Sequence, residues 1–363
     1  MSVAVIVGTR PEVIKMAPVI KELRSRNVSF LFIHTGQHYD YNLSRIFINE
    51  LKLPEPNFSF QLESRKSASQ IGEMMIKLEK TLLSLGSLPK ISLIQGDTNS
   101  MLAAGLTSIR LNIKIGHVEA GLRSYDWRMP EEHNRRMIDH ISEYLFAPTE
   151  LTKQNLQDER VFGEIFVTGN TIIDAIDMYL DKIREVENEV LGQVRFENYT
   201  LVTFHRAESV DNPETLRDFV KILQKSPIPI IFPIHPRTQN RLEEYGMLNI
   251  VKNLNHIQLL PPQGYFKFLA LMKNASMLLT DSGGIQEEAT HPFICKPVLV
   301  LRTSTERPEA VQAGFAKVVG TNPTLVLVEM KKVLNGSLKL PHSSPFGDGK
   351  ASERIVSIVK ENL

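Results

Sequence analysis

The sequence predicts an α/β protein of two doubly wound domains whose sheets meet at a cleft. Short apolar, β-branched runs alternate with longer amphipathic stretches along the chain. The runs are apolar on both faces, as in parallel sheets covered by helices on either side. The series also occurs twice, once per half, in a chain of 363 residues, which exceeds the usual size of one hydrophobic core.

Taken in order, the first half offers strands at Val3–Val7, Ser29–His34, Ile91–Gln95, Ile113–Val118, Tyr144–Ala147 and Ile165–Thr168. Amphipathic helices at Val13–Arg26 and Ser69–Leu85 fall between them. The second half offers Leu201–Thr203, Ile228–Pro233, Ile257–Leu260, Met277–Leu279, Val298–Leu301 and Ala316–Val319. The charged, helix-prone stretch Asp181–Asn198 separates the halves and reads as a solvated helix face. The boundary therefore falls between Thr168 and Asn198, with no sequence repeat and no low-complexity segment.

Composition narrows the function classes. Lys+Arg (42) and Asp+Glu (41) nearly cancel, leaving +1, which disfavours nucleic acid or an acidic membrane as partner. Cys295 is the single cysteine, so neither an intramolecular disulfide nor a cysteine-based zinc site is available. The opening apolar run Val3–Val7 is too short for a signal-peptide core, and no run approaches the ~20 residues of a membrane span. These features predict a cytoplasmic protein.

Polar and glycine residues follow nearly every strand. They are Gly8-Thr9-Arg10, His34-Thr35-Gly36-Gln37-His38, Gly96-Asp97-Thr98 and Glu119-Ala120-Gly121 in the first half. In the second they are His205-Arg206, His235-Pro236-Arg237 and Asp281-Ser282-Gly283-Gly284. Ligands of doubly wound sheets bind outside the carboxyl ends of the strands, so the clustering points to a ligand site there. Ser282-Gly283-Gly284 leads into a helix, where free amides favour a phosphate. Glu287 and Glu288 then either complement the helix dipole or accept bonds from ribose hydroxyls. No strand is followed by G-x-G-x-x-G and no P-loop motif occurs, which disfavours a nicotinamide cofactor and NTPase chemistry. Asp97 serves either as a helix N-cap or as a catalytic acid, while Glu131 and Glu132 after Pro130 suit a helix start. Carboxylates gathered in a partly closed cleft would have raised pKa values, suited to moving a proton on carbon near neutrality.

These residues resemble the non-hydrolysing UDP-N-acetylglucosamine 2-epimerases over essentially the whole chain. The resemblance rests on GTRPEVIKMAP (8–18), QGDTNS (95–100), GHVEAGLRS (116–124), MPEEHNR (129–135), FAPTE (146–150) and VTGNTIIDA (167–175). It continues through HRAES (205–209), TDSGGIQEEA (280–289), TERPEAV (305–311) and PFGDGKAS (345–352). It implies two Rossmann-like domains of the GT-B type. The first would span 1–168 plus a returning helix at about 350–363, and the second 169–349. It implies interconversion of UDP-GlcNAc and UDP-ManNAc through a bound 2-acetamidoglucal, without cofactor or metal, in a homodimer. Surface polysaccharide synthesis is the implied destination.

By position, Asp97, Glu119 and Glu131 match the proton-transfer carboxylates, and His205 the histidine at the leaving diphosphate. Arg10, Lys15, Gln263, Phe268, Ser282, Gly283, Gly284, Glu288 and Arg307 match nucleotide-sugar contacts. Gln37, His38 and His235 match an adjoining activator site for a second UDP-GlcNAc. The chain departs from the pattern at Thr290–Cys295, where a shorter segment ending in glycine is expected, and at Phe204, where a glycine would leave the pocket wall thinner. A GT-B glycosyltransferase, a hydrolysing epimerase and an inactive UDP-sugar-binding protein are the competing readings.

Overall fold

The computed structural model describes residues 2–37, 47–336 and 339–363. The chain divides into two compact units, Met1–Met178 with Phe346–Leu363, and Tyr179–Pro345. Each is an α/β unit around one parallel sheet.

The first sheet has seven strands: β1 (Val3–Val7), β2 (Phe30–His34), β3 (Phe58–Ser59), β4 (Ile91–Gln95), β5 (Lys114–Val118), β6 (Tyr144–Ala147) and β7 (Glu164–Val167). Their order is β3-β2-β1-β4-β5-β6-β7, all parallel, with Val5 opposite both Phe32 and Leu93. Every residue of β1 is buried, which explains its uninterrupted apolar run; each such valine or isoleucine contributes roughly 1.5–3 kcal/mol. The edge strand β7 is only half covered, and the two-residue β3 has no sequence signal of its own.

Helix Arg10–Ser25 starts on a capping box between Thr9 and Glu12, with Pro11 in the first turn, where its missing N–H costs nothing. The first unit runs to Met178, and its helix Thr171–Met178 is tied to the closing segment. The Asp174 carboxylate caps helix Ala351–Glu361, accepting the Ser352 amide and hydroxyl at 2.7 Å each and the Ala351 amide at 3.2 Å. Arg354 Nη1 donates to the Thr168 carbonyl at 3.0 Å.

The second sheet has six parallel strands: β8 (Thr200–Thr203), β9 (Ile230–Pro233), β10 (Ile257–Leu260), β11 (Met277–Thr280), β12 (Val298–Val300) and β13 (Ala316–Val318). Their order, β10-β9-β8-β11-β12-β13, reverses direction between β8 and β11 as the first sheet does between β1 and β4. Those two reversals are the topological switch points where the loops at the strand ends diverge and leave a crevice.

Candidate functional site

At the first unit's switch point a buried carboxylate ties the diverging loops together. Glu12 accepts the Gly8 amide at 2.6 Å and the Thr9 amide at 2.9 Å from the end of β1, and the Thr98 hydroxyl at 2.5 Å from beyond β4. Burial pushes its pKa up to about 7, against the downward pull of these hydrogen bonds. In the sequence Glu12 is only one residue of the motif GTRPEVIKMAP.

Asp97 follows β4 across Gly96, whose φ of +82° suits glycine. Thr98, not Asp97, caps helix Asn99–Arg110, which removes the N-cap alternative. The Asp97 carboxylate takes Arg135 Nη2 at 2.5 Å and Nε at 3.0 Å, and its carbonyl takes Asn134 Nδ2 at 2.9 Å. Arg135 comes from helix Pro130–Ile141. Glu119 ends β5 in the left-handed region at φ +69°, a conformation costing a non-glycine residue about 1 kcal/mol and concentrated at functional sites. It is 7% exposed, and its Oε2 receives Lys15 Nζ, Gln95 Nε2 at 3.2 Å and Asn170 Nδ2 at 3.3 Å. Lys15, matched to the nucleotide-sugar by resemblance, is thus engaged by Glu119.

Helix Pro130–Ile141 separates its two leading carboxylates. Glu132 is buried, accepting the Ser124 amide and hydroxyl at 2.9 Å each and pairing with Arg135 and Arg136. Glu131 is exposed and lines a cavity of about 330 Å³ with Thr9, Gln37, Thr98, Asn99 and Asn134. Gln37 is committed there, its side-chain carbonyl accepting the Ser100 amide and hydroxyl at 2.8 Å each. Arg10, at the helix start, holds its guanidinium 4.8 Å from the Phe47 ring. His38 lies outside the described residues.

The second unit closes its switch point by the same device. Buried Asp281, just past β11, accepts the amides of His205 at 2.9 Å and Arg206 at 2.8 Å, just past β8. His205 Nδ1 lies 3.4 Å from Asp281 Oδ1, and its ring is 5.4 Å from that of His235. Burial, together with the charges of His205 and Arg237, holds the His235 pKa below its ordinary value. His235 also caps helix Pro236–Glu244, with Nδ1 accepting the Arg237 amide at 3.2 Å.

Beyond Asp281, Ser282 caps the six-residue helix Gly283–Glu288 without a side-chain bond, so its leading amides lack intrahelical partners. Buried Glu306 runs beside them, bonded to Arg206 at 2.9 Å and Arg302 at 2.6 Å. A Cβ on Gly283 would meet Glu306 Oε1 at 2.5 Å, while one on Gly284 would meet nothing. Glu287 is buried and paired with Arg307, so Glu288 is the carboxylate of this turn that retains 8% exposure. Gln263 Nε2 donates to the Pro261 carbonyl at 2.8 Å, and Phe268 is half-buried in helix Tyr265–Asn274.

Both departures from the family pattern have a structural account. Phe204 does not wall the ligand region; it is 1% exposed and stacks on Phe219 at 4.1 Å in the core. Thr290–Cys295 forms a turn ending on Cys295 at φ +48°, the left-handed conformation that a glycine would adopt at no steric cost. The residues to which sequence reasoning gave no individual role are Glu12, Arg135, Arg206 and Glu306. Each partners a residue far away in the chain, and only the recurrence of arginines near strand ends hinted at them.

A family model described as UDP-N-acetylglucosamine 2-epimerase matches residues 21–360. The UDP-N-acetylglucosamine 2-epimerase of Methanocaldococcus jannaschii is 45% identical over 368 residues, covering 99% of each chain. The crystal structure of the Methanocaldococcus jannaschii UDP-GlcNAc 2-epimerase in complex with UDP-GlcNAc and UDP matches with a TM-score of 0.90 at 44% identity, covering 99% of this chain and 100% of that one. The UDP-2,3-diacetamido-2,3-dideoxy-D-glucuronate 2-epimerase of Pseudomonas aeruginosa is 33% identical, with 98% of each chain covered.

Proposed function

Because the chain belongs to the UDP-N-acetylglucosamine 2-epimerase family, we propose that it interconverts UDP-GlcNAc and UDP-ManNAc. The route is elimination of UDP to a bound 2-acetamidoglucal, followed by re-addition with inversion at carbon 2. The supporting observation is the carboxylate set of the first unit. Asp97 and Glu119 end neighbouring parallel strands, and Glu131 lines the cavity beside the Asp97 turn.

Elimination removes the proton from carbon 2 to a carboxylate while the bond from carbon 1 to the diphosphate oxygen breaks. Re-addition returns a proton from the opposite face as the diphosphate oxygen attacks carbon 1. Two faces therefore require separate acid and base groups, which Asp97, Glu119 and Glu131 supply. His205 serves the departing diphosphate oxygen. The amides after Ser282, with Arg307, Glu288, Gln263 and Phe268, hold UDP as charge develops on it, and Arg10 and Lys15 add cationic contacts. The enzyme works without hydrolysis, as a cytoplasmic homodimer that supplies ManNAc-type sugars for surface polysaccharide. Gln37, His38 and His235 serve a second, activating UDP-GlcNAc.

The test is incubation with UDP-GlcNAc alone in deuterated water, following carbon 2 by NMR. UDP-ManNAc deuterated at carbon 2 without any acceptor is the expected product. Free ManNAc would instead identify a hydrolysing enzyme, and absence of exchange would sink both. Because of the Pseudomonas relative, UDP-2,3-diacetamido-2,3-dideoxy-D-glucuronate belongs in a parallel incubation, where faster exchange would reassign the substrate.

A further inference from the structure

His117 lies near the end of β5 with no exposed surface, two residues before Glu119. Both of its ring nitrogens face acceptors. Nε2 lies 2.9 Å from the Gly96 carbonyl oxygen, which has no proton to give, so Nε2 must carry one. Nδ1 lies 2.7 Å from Asp139 Oδ1. The other oxygen of Asp139 takes Arg123 Nη1 at 2.7 Å and the Gly121 amide at 3.3 Å. Burial alone would raise the Asp139 pKa, but the hydrogen bonds and charges of His117 and Arg123 carry it below the ordinary aspartate value. Two donors other than His117, the Arg123 guanidinium and the Gly121 amide, favour an ionised Asp139, which offers no proton either, so Nδ1 is a donor too.

We propose that His117 is held as a buried imidazolium and acts as the positioning residue for Asp97 and Glu119. The neighbouring charges balance: Asp139 lies between His117 and Arg123, and Arg123 between Asp139 and Glu159, which it meets at 2.6 Å. The Gly96 peptide is gripped from β5 on both sides, its amide donating to the Val118 carbonyl at 3.1 Å and its own carbonyl receiving the imidazolium. Gly96 has no side chain to hold its left-handed turn, and the charged donor supplies that restraint directly before Asp97. A neutral ring has one N–H and would leave one of the two contacts acceptor against acceptor. The role at Asp97 and Glu119 rests on the proposed epimerase chemistry; the charge does not.

The charge is read on the full chain with nitrogen-15 histidine, by long-range proton–nitrogen correlation at about pH 8, where an exposed histidine with a pKa of about 6.5 is neutral. The His117 signals are assigned by their loss in His117→Gln. Two imidazolium-type nitrogens are expected, and one unprotonated nitrogen overturns the proposal. The positioning role is read from kinetics. His117→Phe should lower kcat about 10²-fold, the scale of a ~1 Å misplacement of reacting groups, with UDP affinity retained. His117→Gln, which still donates to Gly96, should recover part of it. Equal losses in both variants accompanied by lost UDP affinity would overturn the positioning role. No carbon-2 exchange in the unaltered chain would overturn the role through the functional reading, while leaving the charge standing on its own signal.

Discussion

Replacing Glu12 by glutamine should change how the stability of the first unit responds to pH. The amide oxygen of glutamine can accept the Gly8 and Thr9 amides, and its nitrogen can donate to the Thr98 hydroxyl, so the geometry survives. What disappears is the titration. Burial raises the Glu12 pKa from 4.5 to about 7. Between those values the folded chain holds a proton that the unfolded chain has released. Stability therefore falls as pH rises through that window and levels off above the folded pKa. The rise from 4.5 to about 7 corresponds to about 3 kcal/mol. The variant should gain that amount on the unaltered chain from about pH 4.5 to 7, with no further gain above. The assay is urea unfolding followed by the fluorescence of Trp127, the single tryptophan, which lies in the first unit. A difference between the two proteins that stays flat with pH, or grows towards acid, would refute a buried titrating carboxyl at this switch point.

Other expectations follow from single contacts. Gly283→Ala should weaken UDP binding about tenfold or more in calorimetric titration, because the new methyl displaces Glu306 from Arg206 at an overpacking cost of ~1–3 kcal/mol. Asp97→Asn should lower kcat by about 10²–10⁴-fold while UDP affinity is retained, and concurrent loss of UDP binding would contradict the division of labour between the units. Asp174→Ala should cost about 1–2 kcal/mol by removing the cap of helix Ala351–Glu361, seen as faster amide exchange in that helix and an earlier Trp127 unfolding midpoint.

The legible part of the fold was its strand series. Parallel strands buried on both faces write unbroken apolar runs, as Val3–Val7 does, whereas Phe58–Ser59 at the sheet edge is too short to leave a period. The strand ends were equally legible, because turns there demand glycine, aspartate and serine. Local chemistry could not choose between neighbours, however. Glu131 and Glu132 are equivalent in sequence, and so are Glu287 and Glu288. Burial separates each pair, committing Glu132 to Arg135 and Arg136, and Glu287 to Arg307. Phe204 shows the converse, since its place in the core depends on Phe219 from helix Pro213–Gln224.

By itself, then, the sequence determined the fold class, the family and the roster of polar groups at the strand ends, because each is carried by periodicity or by contiguous motifs. Only the tertiary structure decided which of those groups meet. Glu12 reaches Thr98, Arg135 reaches Asp97, Asp281 reaches His205, and His117 stands between Gly96 and Asp139. The physical reason is that hydrogen-bonded pairs distant in the chain are set by strand order and register. Those depend on packing summed over a whole sheet rather than on any local stretch of residues.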